Sequence, residues 1–271
     1  MGNEIEVKWV LSSSDENIRK KLGYENFSNL KLFALNHNLI ITNLEKILLP
    51  SIKYTPNIVA IDQFYWPVDN IDSNQIGELE YYTNGLYMNE EKILRLNPNK
   101  NNKGEALDLI ELITQFYFQN KLEPFKRQLR VRNEIIGSRV SIYLTGKSKN
   151  GIGDENNIEC EIELAPNQNL DLFFNSIGYY AKEDKKKTKR KTKFSGYYSY
   201  KKIPIKTNVE IVKIEELLGL EFLEIEMLPE IKTNNKDLLD VIYSLAKELG
   251  VENNRIENRG YQVLQNILVD K

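Results

Sequence analysis

The sequence predicts an α+β fold in which antiparallel strands, charged on one face, carry helices on the other. Three observations predict it. Short segments alternate charged with intervening residues: Glu4-Ile5-Glu6-Val7-Lys8, Arg130-Val131-Arg132, Glu159-Cys160-Glu161-Ile162-Glu163, Lys189-Arg190-Lys191 and Glu224-Ile225-Glu226. In an extended chain every second side chain shares a face, so each segment projects its charges together. Residues 128–132 and 138–147 both alternate and are separated only by a turn near Gly137, as antiparallel neighbours are. Stretches with helical spacing lie between and after the strands, placing helices outside the sheet.

Taken singly, each charged segment is an ordinary strand with a core face and a wet face. Five of them change the reading. Carboxylates and cations gathered inside a closed sheet are costly to bury unpaired, so they imply bound metal ions and a polyanion. The chemistry that fits is a phosphate chain.

The elements follow in order. After the first strand, Ser13 or Ser14 is placed to cap a helix from about Asp15 to Leu22, with Gly23 as its stop. Residues 30–49 fit a second helix or a pair of strands equally well. Residues 59–66 are aromatic and β-branched and stop at Pro67, as a strand does. From 67 to 124 the composition shifts: a hairpin around Asn84-Gly85, an Asn- and Lys-rich loop over 97–103, and a helix over 105–120 whose apolar stripe packs on a sheet. The 128–147 hairpin follows, then a loop with Gly151 and Gly153, the acidic strand 158–164, and a helix over 170–177 ending at Gly178. Residues 182–193 are a charge run, solvated in its first half and extended in its second. A hairpin end over 194–200, strands over 209–214 and 222–227, and a helix with Leu238, Val241, Ile242, Leu245, Ala246 and Leu249 at helical spacing complete the chain, with Gly250 as stop.

At 271 residues the preferred organisation is one catalytic domain, 1–271, with an insertion at 67–124 serving as a lid or subdomain. A net charge of −2, from 37 basic and 39 acidic residues, gives no general attraction to nucleic acid or to anionic membrane. The chain shows no secretory signal pattern and no apolar run of about 20 residues, so a cytoplasmic protein is expected. Cys160, the single cysteine, excludes an intramolecular disulfide and reads as structural. His37 is the single histidine and reads as a surface residue, which leaves little material for zinc or Ser-His chemistry.

The ordered segments resemble the CYTH superfamily of triphosphate tunnel enzymes, which includes class IV adenylate cyclases and thiamine triphosphatases. Glu4-Ile5-Glu6-Val7-Lys8 resembles its E-x-E-x-K signature, Gln63-Phe64-Tyr65 its second strand, Leu129-Arg130-Val131-Arg132 its L-R-x-R element and Leu144-Thr145-Gly146-Lys147 its L-T-x-K element. Residues 189–194 are similar to K-x-R-x-x-Y, Phe222-Leu223-Glu224-Ile225-Glu226 to F-x-E-x-E, and the tail 258–264 to S-Y-x-x-L-L, as cyclase-like members carry it. Three departures stand out. Glu159 occupies the place of a usual arginine, Lys191 replaces an arginine, and 218–222 is one residue short, which brings Glu215 to the place of a usual aspartate with a longer reach to metal.

The resemblance implies an eight-stranded antiparallel β-barrel, a triphosphate tunnel with flanking helices. It further implies that Lys8, Arg130, Arg132, Lys147, Lys189 and Lys191 hold phosphates, and that Glu4, Glu6, Glu161, Glu163, Glu224 and Glu226 are donors for Mg²⁺ or Mn²⁺. Glu4, Glu6 and Lys8 are the expected catalytic group. The first expectation is metal-dependent hydrolysis of a triphosphate such as ATP, thiamine triphosphate or tripolyphosphate. The alternatives are an adenylate cyclase, converting ATP to cyclic AMP and pyrophosphate, and a non-catalytic triphosphate or nucleotide sensor. Trp66, Tyr81, Tyr82 and Tyr87 offer the insertion an aromatic surface for a base, and a protein partner for 67–124 is equally compatible.

Overall fold

The computed structural model describes residues 2–13, 15–24, 27, 37–48, 52–67, 79–82, 85–88, 95–96, 127–149, 157–164, 170–176, 179–181, 186–228 and 235–269. The elements in chain order are β1 (Gly2–Ser12), α1 (Glu16–Leu22), α2 (His37–Ile47), β2 (Lys53–Pro67), β3 (Leu79–Tyr82), β4 (Gly85–Met88), β5 (Arg95–Leu96), β6 (Arg127–Ile136), β7 (Arg139–Lys149), β8 (Asn157–Leu164), α3 (Leu170–Ser176), β9 (Tyr179–Ala181), β10 (Lys187–Tyr200), β11 (Ile203–Ile214), β12 (Glu221–Leu228), α4 (Asn235–Glu248) and α5 (Tyr261–Val269). Single 3₁₀ turns lie at Glu215–Leu217 and Asn253–Arg255. The fold is α+β, with nine antiparallel sheet strands among the described residues and a separate three-stranded sheet, β3-β4-β5.

By contacts the chain forms two compact units: residues 1–2, 60–150 and 158–187, and residues 3–59, 151–157 and 188–271. In the first unit the strand order is β8-β7-β6-β2-β9. Gly137 adopts φ +59 at the tip of the β6–β7 hairpin, where Ile136 opposes Arg139. A residue with a Cβ resists that backbone angle, so glycine sets the tight connection. The hairpin expected around Asn84-Gly85 is formed by β3 and β4, with Tyr82 opposite Gly85. The helix expected over 105–120 and the loop over 97–103 lie outside the described residues.

In the second unit the order is β10-β11-β12-β1. The outward face of these strands carries Ile5, Val7, Trp9 and Leu11 of β1, Phe194 and Tyr198 of β10, and Leu223, Ile225 and Met227 of β12. On them pack Ile40, Leu44 and Leu48 from the α2 segment and Leu238, Val241, Ile242, Leu245, Ala246 and Leu249 from the α4 segment. Burying such side chains stabilises the fold by about 1.5–3 kcal/mol each, which is what holds the layer together. Residues 37–47 form a helix, and its Ile40 and Leu44 enter the same apolar layer as the residues of β1 and β10. At the end of the opposite face, Val10, Val212, Ile214 and Phe222 form a smaller core with Ile18 and Leu22 of α1 and Leu264 of α5.

The α1 cap differs from expectation. Asp15, rather than Ser13 or Ser14, accepts hydrogen bonds from the backbone of Asn17 (2.8 Å) and Ile18 (3.2 Å). A carboxylate suits the positive end of a helix better than a hydroxyl does. Gly23 ends this helix at φ +77, as the sequence indicated.

Candidate active site

Register builds the charged face of the second unit. Across β12 and β1, Glu226 stands opposite Glu6 and Glu224 opposite Lys8. Across β11 and β12, Asn208 stands opposite Glu226 and Glu210 opposite Glu224. Across β10 and β11, Lys193 faces Glu210, and Lys191 and Lys189 follow on the same face. Directly opposed side chains start about 5 Å apart at Cβ, so the pairs Glu6–Glu226 and Glu210–Glu224 set like charges side by side. Four carboxylates thus occupy neighbouring positions on three strands.

Lysines and two polar partners surround them. Lys191 and Lys193 reach Glu210 at 3.1 and 3.2 Å. Asn208 donates to Glu226 at 3.0 Å. Burial raises the pKa of Glu224, a shift reinforced by Glu6 and Glu210 and opposed by Lys189 and by a hydrogen bond from Tyr261. Burial also raises Glu226, with Glu6 and Glu210 adding to it and Asn208 and Lys193 working against it. Among the described residues no three His, Cys, Asp or Glu side chains converge on one point. The donor set nevertheless suits a hard divalent cation, since all four groups are carboxylates that gain from a positive charge among them.

The C-terminal segment completes this cluster. Tyr261, the first residue of α5, donates its phenol to Glu224. Its ring lies 4.2 Å from the Lys8 ammonium and 4.9 Å from that of Lys189, within cation–π range. Lys8 also donates to the carbonyl of Arg259 at 2.7 Å. Arg259 is anchored in turn. Its guanidinium donates to the buried Glu257 at 2.6 and 2.8 Å and to the carbonyl of Leu22 at 2.9 Å, while the Tyr24 hydroxyl donates to Glu257 at 2.5 Å. Burial would raise the Glu257 pKa, but the hydrogen bonds from Arg259 and Tyr24 outweigh it and hold the carboxyl below its ordinary value.

The first unit carries a second charged group. Asp62 of β2 is fully buried and takes a forked contact from Arg132, Nε at 2.7 Å and a terminal nitrogen at 3.1 Å. Arg130 lies 3.7 Å from Asp62 and 3.8 Å from Glu161, and Thr145 donates to Glu161 at 2.8 Å. Glu163 instead meets the exposed Arg139 at 3.7 Å. Lys187 is buried with its ammonium 5.6 Å from the Phe64 ring.

The expected residues therefore divide. Glu6, Lys8, Lys189, Lys191, Glu224 and Glu226 come together in the second unit, and Arg130, Arg132 and Glu161 in the first. Glu4 and Lys147 lie on β1 and β7, but their side chains, like those of Glu159 and Cys160, lie outside the described residues. Glu215 is not part of the charged row: it pairs with Arg190 at 2.7 Å on an exposed surface, because the 3₁₀ turn carries it beyond the end of β11. Asp62, Glu210, Asn208 and the role of Tyr261 escaped the sequence reading. Their signal was alternation with a single charge, as in Asn208-Val209-Glu210-Ile211.

No family model matches the chain, and no curated protein matches it in sequence. Solved structures do match. A putative adenylate cyclase from Vibrio parahaemolyticus superposes with a TM-score of 0.51 at 10% identity, covering 98% of each chain. The PH1819 protein from Pyrococcus horikoshii gives 0.49 at 15% identity over 99% of each chain. A putative adenylyl cyclase from Hippeastrum, described as having a dominant triphosphatase activity, gives 0.42 at 10% identity over 98% of this chain and 96% of its own. At nearly full length the chain shares the fold of the Vibrio structure.

Proposed function

We propose that the protein is a divalent-metal-dependent triphosphatase whose substrate lies along the charged strand faces. The observation that carries this reading is the register of Glu6, Glu210, Glu224 and Glu226 on three adjacent strands, bordered by Lys8, Lys189, Lys191 and Lys193. A row of facing carboxylates is destabilising on its own and becomes favourable only with cations among them. Glu6, Glu224 and Glu226, with Glu4 beside them in sequence, are the residues that would hold Mg²⁺ or Mn²⁺. Such an ion would neutralise charge on the phosphate oxygens and sharpen a bound water as nucleophile.

The chain's own residues supply the rest. Within the second unit, lysines at 8, 189 and 191 bind phosphate oxygens as compact charges. A triphosphate held by several of these groups has little freedom left, so attack becomes a matter of position. Water attacks the terminal phosphorus, the bond to the bridging oxygen breaks, and the diphosphate leaves with the electron pair.

The test is incubation of the protein with ATP, tripolyphosphate and thiamine triphosphate, each with Mg²⁺ or Mn²⁺, resolving the products. Phosphate release with loss of activity in Glu6→Gln is the expected result. Pyrophosphate together with cyclic AMP would replace the hydrolase by a cyclase. Tight binding without any product would replace both by a sensor.

A further inference from the structure

We infer that Tyr197 is a stacking platform for a planar aromatic group, so that the substrate is an organic triphosphate, such as a nucleotide, rather than an inorganic one. The inference rests on the triphosphate reading above and adds the class of its non-phosphate end. On β10, Lys189, Lys191, Lys193, Ser195 and Tyr197 alternate with Phe194 and Tyr198, which point into the apolar layer. Tyr197 therefore continues the face that bears the lysines. It remains 39% exposed, with Lys206 directly opposite on β11.

The two ends of this face differ. At one end Val10, Val212 and Phe222 are sealed in the small core against α1 and α5. A phosphate chain lying on the lysines and carboxylates can extend its larger end only the other way, toward Tyr197. Tyr197 is four residues beyond Lys193, about 13 Å along the strand. That separation suits an aromatic ring attached through a sugar or a short linker to phosphates held near Lys193.

The backbone there is held firmly. Gly196 lies so close to α2 that an added Cβ would meet the Cβ of Leu48 at 3.2 Å. The strand is thus pinned from behind, and the Tyr197 ring is presented from a fixed backbone. A phenol ring offers a π-face to any base, with Lys206 beside it to balance the phosphate nearest the ring.

The test compares Tyr197→Ser and Tyr197→Phe with the parent protein, measuring dissociation constants and KM for ATP and for tripolyphosphate, with thermal melting as a check of folding. The expected result is that Tyr197→Ser weakens ATP about tenfold while leaving tripolyphosphate unchanged, and that Tyr197→Phe behaves like the parent. Equal effects on both ligands, or none on either, would overturn the stacking role while sparing the triphosphate reading. Binding of tripolyphosphate but not ATP by the parent would do the same. Binding of neither would overturn both.

Discussion

Replacing Glu226 by glutamine should make the metal-free protein more stable. Glu226 stands opposite Glu6 on β1 and beside Glu224 and Glu210. Two carboxylates about 5 Å apart repel by about 3 kcal/mol at an effective dielectric constant near 20. Lys193 and the Asn208 amide recover part of this, which leaves a net relief of about 1–2 kcal/mol. For a chain of this size that corresponds to a rise in Tm of about 3–6 °C. The pH dependence has a definite sign. Burial holds the Glu226 pKa above its ordinary 4.5, so its contribution is fully present below about pH 4.5 and is lost as pH rises through the folded value. The gap between the variant and the parent should therefore be small near pH 4 and widen toward pH 8. Melting in EDTA across that range checks it, and Mn²⁺ should then raise the parent's Tm more than the variant's. A variant no more stable at about pH 8, or equally shifted at both pH values, would refute the argument that these carboxylates repel across the register.

Arg132→Ala should cost about 3–5 kcal/mol, because it leaves the buried Asp62 without its forked partner, whereas the Asp62→Asn/Arg132→Ala pair should recover part of the loss in urea denaturation. Tyr261→Phe keeps the ring between Lys8 and Lys189 but removes the phenol donor to Glu224, so Mn²⁺ binding followed by calorimetry should weaken and its acid limb should move to higher pH. Glu257→Gln should destabilise by about 1.5–3 kcal/mol near neutral pH. Since the Glu257 pKa is depressed, its contribution is present above the ordinary carboxylate range and disappears as pH falls through the folded value, so melting curves of variant and parent should converge in acid.

The strands that carry two or more charges were legible because a doubled alternation is rare in a half-buried strand, and Glu6, Lys8, Glu224 and Glu226 lie together as that pattern implied. Asp62 and Glu210 were not legible, since one acid among apolar neighbours looks like any solvent-facing residue until its partner strand is known. The first half of β2 was hidden by Pro56 and by Asn57, which adopts φ 55 within the strand. The start of β11 was hidden by its turn. Lys201 and Lys202 both take positive φ, at 48 and 69, where sequence patterns lead one to expect Asn-Gly. Helix α5 showed too short a periodicity to be distinguished from a tail, and β9, of three residues, gave no pattern at all.

The pairing of β1 with β12, and of Lys8 with Arg259 across 251 positions of sequence, has a kinetic consequence. Strand β1 waits for a partner, β12, that is made more than 200 residues later. Loop closure over such a separation is entropically expensive, so folding of the second unit should be slow and should leave Ile5, Val7 and Trp9 exposed during synthesis. Glu6 and Lys8 gain their opposing residues only once β12 has emerged. Termination before β12 would then leave β1 with an unsatisfied strand edge and a hazard of aggregation.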